Sequence, residues 1–223
     1  MRRYRFRKID AFVSGSSAGN PAGYIFSDGP APDAEMQQIA RELKGFVSEV
    51  GVVTPGTGTE EFIIRYFSCE REVDFCGHAT VAILDDLIKN TPSLQEMEVI
   101  RIRTKSGVVE VENRVAREGR VNIYAPPPQF IDQVPPLNET AGALGLEGSD
   151  LNDEIPPGVV HVGQNTLIIR LRTLRACMRC SPDYERLRTF ARSHGIEVIH
   201  ISSGEAVIPG HAFRTRVFAP AFG

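Results

Sequence analysis

The sequence predicts an α+β protein made of two related halves, and three observations support this. Short strand patterns separated by turn residues run through most of the chain, with a few helix patterns between them. An F-x-x-R-x-F strand occurs at residues 62–67 and again at 213–218. The stretch 79–84 is apolar on every side, which is typical of a helix buried inside sheets.

The first half begins with two strands and a helix. Residues 6–13 form a strand, and charged residues alternate with aromatic ones just before it, as on a solvated edge. Turn-forming residues at 15–21 separate it from a second strand at 22–26. Pro32-Asp33 opens a helix that extends to Leu43, because apolar residues recur there at helical spacing.

The remainder of the first half is predicted to be strands around one buried helix. Glycines near residues 107 and 119 mark the turns of a closing meander. The predicted strands are 50–54, 61–67, 72–75, 98–104, 108–113 and 120–125, and the buried helix is 79–89.

Prolines mark the passage into the second half. The run Pro126-Pro127-Pro128 and a further proline pair interrupt the pattern, so the domain crossing is expected between residues 114 and 130. We expect an N-terminal domain at 1–115 and an incomplete C-terminal domain at 116–223. The second half is predicted to contain helices at 140–146 and 183–194 and strands at 159–162, 166–171, 197–202 and 211–218.

The two halves have the same order of elements, which suggests an internal repeat. Glu49 falls opposite Glu197 at nearly the same offset as the paired strands. By that offset the counterpart of His78 falls near position 229, whereas the sequence runs to Gly223. The second half is therefore expected to lack a central helix, and the open region to drive self-association.

Composition limits the functional classes. The chain has 223 residues, 42% hydrophobic and 24% charged residues, and a net charge of −3, so nothing global favours nucleic acid or an anionic membrane. No apolar run is long enough to span a bilayer, and no signal peptide is recognisable. The protein is expected to be cytoplasmic. The C-x-x-C pair Cys177 and Cys180 has no second pair to complete a zinc set, so these thiols are interpreted as incidental.

The motif F-C-G-H-A-T at residues 75–80 carries the strongest functional signal. A strand runs into Gly77-His78 and a helix begins there, and free N–H groups at a helix start bind carboxylates. Glu49, in the context V-S-E-V-G, is the second acid–base candidate. The structural alternatives are a solvated strand-end carboxylate for Glu49 and a backbone-capping or otherwise satisfied role for His78.

Several motifs together resemble the phenazine-biosynthesis PhzF-like proteins. They are I-D-A-F, G-N-P-A-G, I-A-R-E-L, V-S-E-V-G, the F-x-x-R-Y-F strand, F-C-G-H-A-T and R-V-F-A-P-A-F-G. The resemblance implies the diaminopimelate epimerase-like fold: two pseudo-symmetric domains, each a curved sheet around a central helix, with the active site between them. The segment that supplies the second central helix in that family has no counterpart here, so the second domain is expected to lack it.

The resemblance also implies roles for individual residues. Glu49 and His78 match the family's catalytic glutamate and histidine. Cys76 matches a base of related racemases, but no opposing thiol is available, so a small buried residue is the preferred interpretation. The expected substrate-binding residues are Asn20, Ser48, Gly77, Ala79 and Thr80.

Two functions from different classes follow. The first is an isomerase that moves a proton on a small carboxylated substrate without a cofactor or a metal. The alternative is a shortened, non-catalytic homologue that binds a small ligand or a partner protein. A homodimer is expected in either case, and neither nucleic acid nor a membrane is an expected partner.

Overall fold

The structure, a computed structural model, describes residues 3–15, 17–124 and 127–221. The chain divides into two compact units, Met1–Pro126 and Pro127–Gly223. Each unit contains its own sheet and its own hydrophobic core. Among the described residues, no helix has the length and apolar character needed to cross a membrane; the central one has 14 residues.

The first unit is built on an eight-stranded sheet with the order β1-β2-β3-β4-β6-β7-β8, and β5 pairs with β4. Its strands are β1 (Phe6–Ala11), β2 (Asn20–Phe26), β3 (Glu49–Pro55), β4 (Phe62–Ser68), β5 (Glu72–Val73), β6 (Val99–Thr104), β7 (Gly107–Arg114) and β8 (Arg120–Ile123). Its helices are α1 (Asp33–Glu42), α2 (Gly77–Asn90), α3 (Pro92–Gln95) and α4 (Val115–Glu118).

Helix α2 is the centre of the first unit. It packs against β1, β2 and β3 near one end of the strand order and against β8 at the other end, so the sheet curls around it. The Tyr24 hydroxyl donates to Asp86 of the helix at 2.8 Å. A Cβ atom on Gly51 would lie 2.3 Å from Cδ1 of Ile83, so the strand approaches the helix closely where glycine stands.

Helix α1 covers the opposite face of the same sheet. Its inward residues Met36 and Ala40 join a buried cluster with Ile25, Val52 and Phe67 of the strands. Burying both faces in this way explains why β3 reads as a continuous apolar run rather than an alternating one.

The second unit contains a five-stranded sheet with the order β13-β12-β11-β10-β9. The core lies on one face of this sheet, beneath the helices of the unit. The elements are β9 (Gln129–Ile131), α5 (Leu137–Ala143), a 3-10 helix (Gly148–Asp150), β10 (Gly158–His161), β11 (Asn165–Leu171), α6 (Leu174–Arg179), α7 (Tyr184–Ser193), β12 (Val198–Ser203) and β13 (Arg214–Phe218).

The strand pairing supports the predicted internal repeat. β1 to β4 pair antiparallel, parallel and antiparallel, and β10 to β13 pair in the same sequence. The repeated motif also has the same local structure, since Arg65 lies 5.1 Å from the ring centroid of Phe67 and Arg216 lies 5.1 Å from that of Phe218. The register corrects one detail: Ala22 pairs with Glu49 as Thr166 pairs with Val198, so Val198 rather than Glu197 is the counterpart of Glu49.

The second sheet leaves one face open. Tyr24 and Tyr66, which point at α2 in the first unit, are 5% and 0% exposed. Their counterparts by register, Ile168 and Val217, are 41% and 59% exposed. This face of the second sheet is therefore exposed to solvent in the described part of the chain.

Several predicted boundaries move, and the short helices α3, α4 and α6, the 3-10 helix and strand β9 were not predicted. The short helix expected at 140–146 begins earlier, because Pro136 precedes its first turn. Helix α6 was missed although Thr173 caps it by accepting a hydrogen bond from the Ala176 N–H at 3.1 Å. The last strand begins at Arg214 rather than at residue 211.

The cysteines of the C-x-x-C pair are part of the second core. Cys177 and Cys180 are 0% and 1% exposed, and both are free thiols. The Cys180 thiol donates to the Leu144 carbonyl at 3.3 Å. Burial raises the pKa of both thiols, which makes them poor nucleophiles.

Candidate active site

Strand β3 and helix α2 bring the two acid–base candidates together. Glu49 is the first residue of β3, and His78 is the second residue of α2. Glu49 Oε2 lies 3.2 Å from His78 Nε2, and the two side chains are 15% and 14% exposed. Residues 29 positions apart in the chain are therefore in contact where β3 and α2 begin.

Two buried polar atoms at this contact have no hydrogen-bond partner among the described residues. Although Glu49 Oε2 and His78 Nε2 are close, the approach lacks hydrogen-bond geometry, and neither atom has another partner among the described residues. Unpaired buried polar atoms cost free energy, and native proteins keep few of them. Two such atoms side by side are typical of a site that completes its hydrogen bonds with a ligand.

Cys76 lies beside both groups. Its Sγ is 3.3 Å from His78 Nδ1, and one atom each of Glu49, Cys76 and His78 lie within 4.8 Å of one another. Burial raises the pKa of the Cys76 thiol most, the Glu49 charge raises it further, and the N–H groups of Ala79 and His78 partly oppose both. The thiol is therefore protonated near neutral pH, which supports the prediction that Cys76 is not a base.

The start of α2 offers the expected backbone donors. The Thr80 N–H donates to the Cys76 carbonyl at 2.9 Å and is the first amide used within the helix. The amides of Gly77, His78 and Ala79 precede it, and the last two lie near Cys76 Sγ. A thiol is a weak acceptor, so these donors would gain from a carboxylate.

Thr80 differs from the other candidate site residues because both of its polar groups are already hydrogen-bonded inside the protein. Its hydroxyl bonds to the Cys76 carbonyl at 2.7 Å and to the Tyr66 hydroxyl at 2.6 Å, and the residue is fully buried. Because its N–H is also used inside the helix, neither polar group is free to meet a substrate directly. We propose that Thr80 holds the first turn of α2 in place.

Asn20 and Ser48 form a second polar pair beside Glu49. Ser48 Oγ donates to Asn20 Oδ1 at 3.1 Å, and the Ser48 N–H donates to the Pro21 carbonyl at 3.0 Å. Both side chains are exposed. β2 and β3 run parallel, so these residues stand where the two strands begin, next to Glu49.

The cluster of Glu49, Cys76 and His78 also has donor types that bind zinc. Zinc binds cysteine as the thiolate, whereas burial and the Glu49 charge keep the Cys76 thiol protonated. The three groups are therefore better suited to holding and moving protons. The absence of a metal remains a prediction.

Tyr66 was not among the predicted site residues. It is 0% exposed, and its hydroxyl bonds to Thr80 behind the first turn of α2. A signal for it existed, because Tyr66 alternates with Arg65 and Phe67 along β4 and therefore faces the side of α2.

The sequence profile of the phenazine biosynthesis-like protein family (PhzC-PhzF) matches residues 9–223. This match includes every predicted site residue. The chain belongs to this family.

Relatives in this family carry isomerase names. The chain is 29% identical over 224 residues to the uncharacterized isomerase YfhB of Bacillus subtilis (strain 168), covering 100% of this chain and 75% of the relative. It is 28% identical over 218 residues to trans-2,3-dihydro-3-hydroxyanthranilate isomerase of Pseudomonas fluorescens, covering 96% of this chain and 71% of the relative.

Solved structures confirm the predicted epimerase-like fold. The Bacillus anthracis phenazine biosynthesis protein of the PhzF family matches with a TM-score of 0.78 and 27% identity, covering 96% of this chain and 72% of that chain. A probable proline racemase from Agrobacterium radiobacter K84 shares the fold at a TM-score of 0.61 and 11% identity, covering 97% and 71%.

Proposed function

We propose that this protein is an isomerase that moves a proton on a small carboxylated substrate without a cofactor. The observation that carries the proposal is the 3.2 Å approach of Glu49 Oε2 and His78 Nε2, each buried and without a hydrogen bond among the described residues. A carboxylate and an imidazole arranged in this way can accept a proton from one substrate atom and donate it to another.

In this proposal Glu49 is the general base and returns the proton at another atom of the substrate. His78 donates a hydrogen bond or orients the substrate beside it. A positioned acid–base group contributes roughly 10²–10⁴-fold to a rate. Both side chains are about 15% exposed, and this partial burial limits competition from water.

The substrate carboxylate is proposed to bind at the amides of Gly77, His78 and Ala79. The positive end of the α2 dipole and the poorly satisfied amides both favour an anion there. Asn20 and Ser48 are proposed to line the site with polar groups, because they stand beside Glu49 at the start of β2 and β3.

Deuterium incorporation from heavy water into a panel of small carboxylic acids tests this proposal. The panel includes trans-2,3-dihydro-3-hydroxyanthranilate, since the Pseudomonas fluorescens relative is named for it. The wild type is expected to label at least one acid, and Glu49→Gln to reduce the rate by about 10²-fold or more. Glu98→Gln is the matched control, because that side chain is 88% exposed. No labelling of any acid by the wild type contradicts the proposal.

The open face of the second sheet favours the alternative of a non-catalytic binding protein. Ile168 and Val217 are exposed there, whereas the corresponding tyrosines of the first unit are covered. Tight binding of a panel acid without any deuterium exchange would support this alternative over the isomerase.

We also propose a homodimer in the cytoplasm, with the open face as its interface. Covering Ile168 and Val217 removes apolar surface from water, which favours association. Light scattering at micromolar concentration is expected to give a dimer that Val217→Lys converts to a monomer. A wild-type monomer under these conditions contradicts this part of the proposal.

A further inference from the structure

We propose that Cys76 is a positioning residue, whose thiol donates to Nδ1 of His78 and so holds the proton of the neutral imidazole on Nε2. This inference rests on the proposed function of Glu49 and His78 and goes beyond it. It assigns a role to a residue that the acid–base mechanism does not use. The distance from Cys76 Sγ to His78 Nδ1 is 3.3 Å.

The first argument comes from the far side of the imidazole ring. Nε2 faces Glu49 Oε2 at 3.2 Å. A neutral imidazole carries its proton on one nitrogen, and the other nitrogen is an acceptor. An unprotonated Nε2 would place its lone pair against a carboxylate oxygen, whereas an N–H at that position is attracted to it. Glu49 therefore favours the proton on Nε2, which makes Nδ1 the acceptor.

The second argument comes from the sulfur. The amides of His78 and Ala79 lie near Cys76 Sγ, and the Glu49 carboxylate is a second acceptor close to the thiol. Burial and the nearby Glu49 charge keep the thiol protonated. The thiol has one proton to donate, and His78 Nδ1, at 3.3 Å, accepts it in competition with the Glu49 carboxylate. Both sides of the ring lead to the same tautomer.

The position of Cys76 makes this arrangement rigid. Cys76 immediately precedes α2 and has an extended backbone, while its carbonyl accepts from both the N–H and the hydroxyl of Thr80. The Tyr66 hydroxyl bonds to Thr80 in turn. The sulfur therefore has a fixed place from which to orient the imidazole, as supporting residues do for ligating histidines.

Nitrogen NMR of histidine-labelled protein tests the tautomer without any activity assay. The His78 signals are assigned by their loss in His78→Gln. In the wild type we expect neutral His78 to have its proton on Nε2. In Cys76→Ala, where Glu49 alone still favours that form, we expect a measurable fraction of the Nδ1–H tautomer. Cys76→Ser, which retains a donor, is expected to restore the Nε2–H form. An unchanged His78 tautomer in Cys76→Ala overturns the proposal.

Kinetics provide the second measurement. Cys76→Ala is expected to lower kcat by about 10- to 100-fold with KM within about twofold, because a misplaced catalytic group costs rate rather than binding. Cys76→Ser is expected to recover most of the loss. Cys180→Ala, which removes another buried thiol, is the control and is expected to keep wild-type kcat. Equal kcat in Cys76→Ala and the wild type overturns the proposal.

Two outcomes separate this inference from the proposed function. If Cys76→Ala changes the tautomer of His78 but the wild type exchanges no panel acid, positioning stands and the isomerase proposal fails. If the wild type is active and the His78 tautomer is the same in Cys76→Ala as in the wild type, the isomerase proposal stands and the positioning role of Cys76 is refuted. Should Cys76→Ala not fold, Cys76→Val removes the donor while filling the space, and the extended backbone there tolerates a branched residue.

Discussion

At the scale of single residues, substitutions of Glu49 and Gly77 are expected to change activity while leaving stability nearly unchanged. Glu49 Oε2 makes no hydrogen bond among the described residues, and glutamine keeps the size and the oxygen of the side chain, so Glu49→Gln costs the folded state little. The effect of Glu49→Gln should therefore appear in the reaction and not in folding. Unfolding by urea is expected to give a free energy within about 0.5 kcal/mol of the wild type. A large loss of stability would show that Glu49 is a structural residue.

Gly77 gives the complementary prediction. A Cβ atom at this position would lie 3.7 Å from Ile123 Cδ1 and 3.8 Å from Phe75 Cε1, which are ordinary contacts. Gly77→Ala should therefore fold normally and be as stable as the wild type or slightly more stable, since alanine favours helices. The added methyl group would crowd a carboxylate at the amides of α2. We expect KM to rise about 10-fold or more, measured beside a thermal melt.

Unchanged KM in Gly77→Ala would show that the substrate does not approach the start of α2. The control is Gly29→Ala, a position with open space around it on a loop away from α2. This variant is expected to keep both the stability and the KM of the wild type.

At the scale of elements, the contact between Gly51 of β3 and Ile83 of α2 determines how closely the central helix packs against the sheet. A Cβ atom on Gly51 would lie 2.3 Å from Ile83 Cδ1, and Ile83 is fully buried. Gly51→Ala is expected to destabilise the protein by about 1–3 kcal/mol through overpacking. Chemical denaturation measures this difference.

A second substitution tests the cause of that loss. Ile83→Val removes the Cδ1 atom that the new methyl group would meet. Gly51→Ala combined with Ile83→Val is therefore expected to be more stable than the sum of the single effects predicts, by about 0.5 kcal/mol or more. Additive effects would mean that the strain arises elsewhere.

The elements also show what local patterns could and could not predict. The stretch 79–84, apolar apart from Thr80, indicated a buried helix, and residues 79, 80, 82, 83 and 84 are buried in α2. Helix α6 was missed because it has only 6 residues, too few for a clear apolar period. Its start depends on the Thr173 cap. At its end three carbonyl groups accept hydrogen bonds from Arg216, which lies in a distant part of the sequence.

At the scale of the whole molecule, buried thiols make stability depend on alkaline pH. Burial raises the pKa of Cys180 to about 11 from 9.0, against the opposing charge of Arg216. Above about pH 9 the unfolded chain releases this proton while the folded chain keeps it, so stability falls as the pH rises towards 11. Each such group adds at most about 1.4 kcal/mol per pH unit to the slope.

Urea denaturation between pH 8 and pH 11 measures this effect. Cys180→Ala is expected to be less stable than the wild type at pH 8, because a cavity replaces the side chain. Its stability should nevertheless decline less steeply with pH. Equal slopes for the two proteins would show that Cys180 does not titrate as the fold implies.

The repeat shows both the reach and the limit of sequence reasoning over the whole chain. The F-x-x-R-x-F strands predicted two related halves, and the strand pairing and the arginine–phenylalanine contacts agree with them. The sequence offset nevertheless placed Glu197 opposite Glu49, one residue away from Val198. A shift of one residue in a strand moves a side chain to the other face, so only the hydrogen-bond register identifies true counterparts.

The sequence alone determined the family, the central helix and the pairing of Glu49 with His78 as candidates, because local periodicity and short motifs record which residues are buried and which chemistry they can perform. Three facts came from the tertiary structure alone. Glu49 Oε2 and His78 Nε2 face each other without a hydrogen bond, the Thr80 hydroxyl is hydrogen-bonded to Tyr66, and Cys76 contacts the imidazole of His78. These facts depend on distances between strands and helices far apart in the chain, which no local pattern encodes.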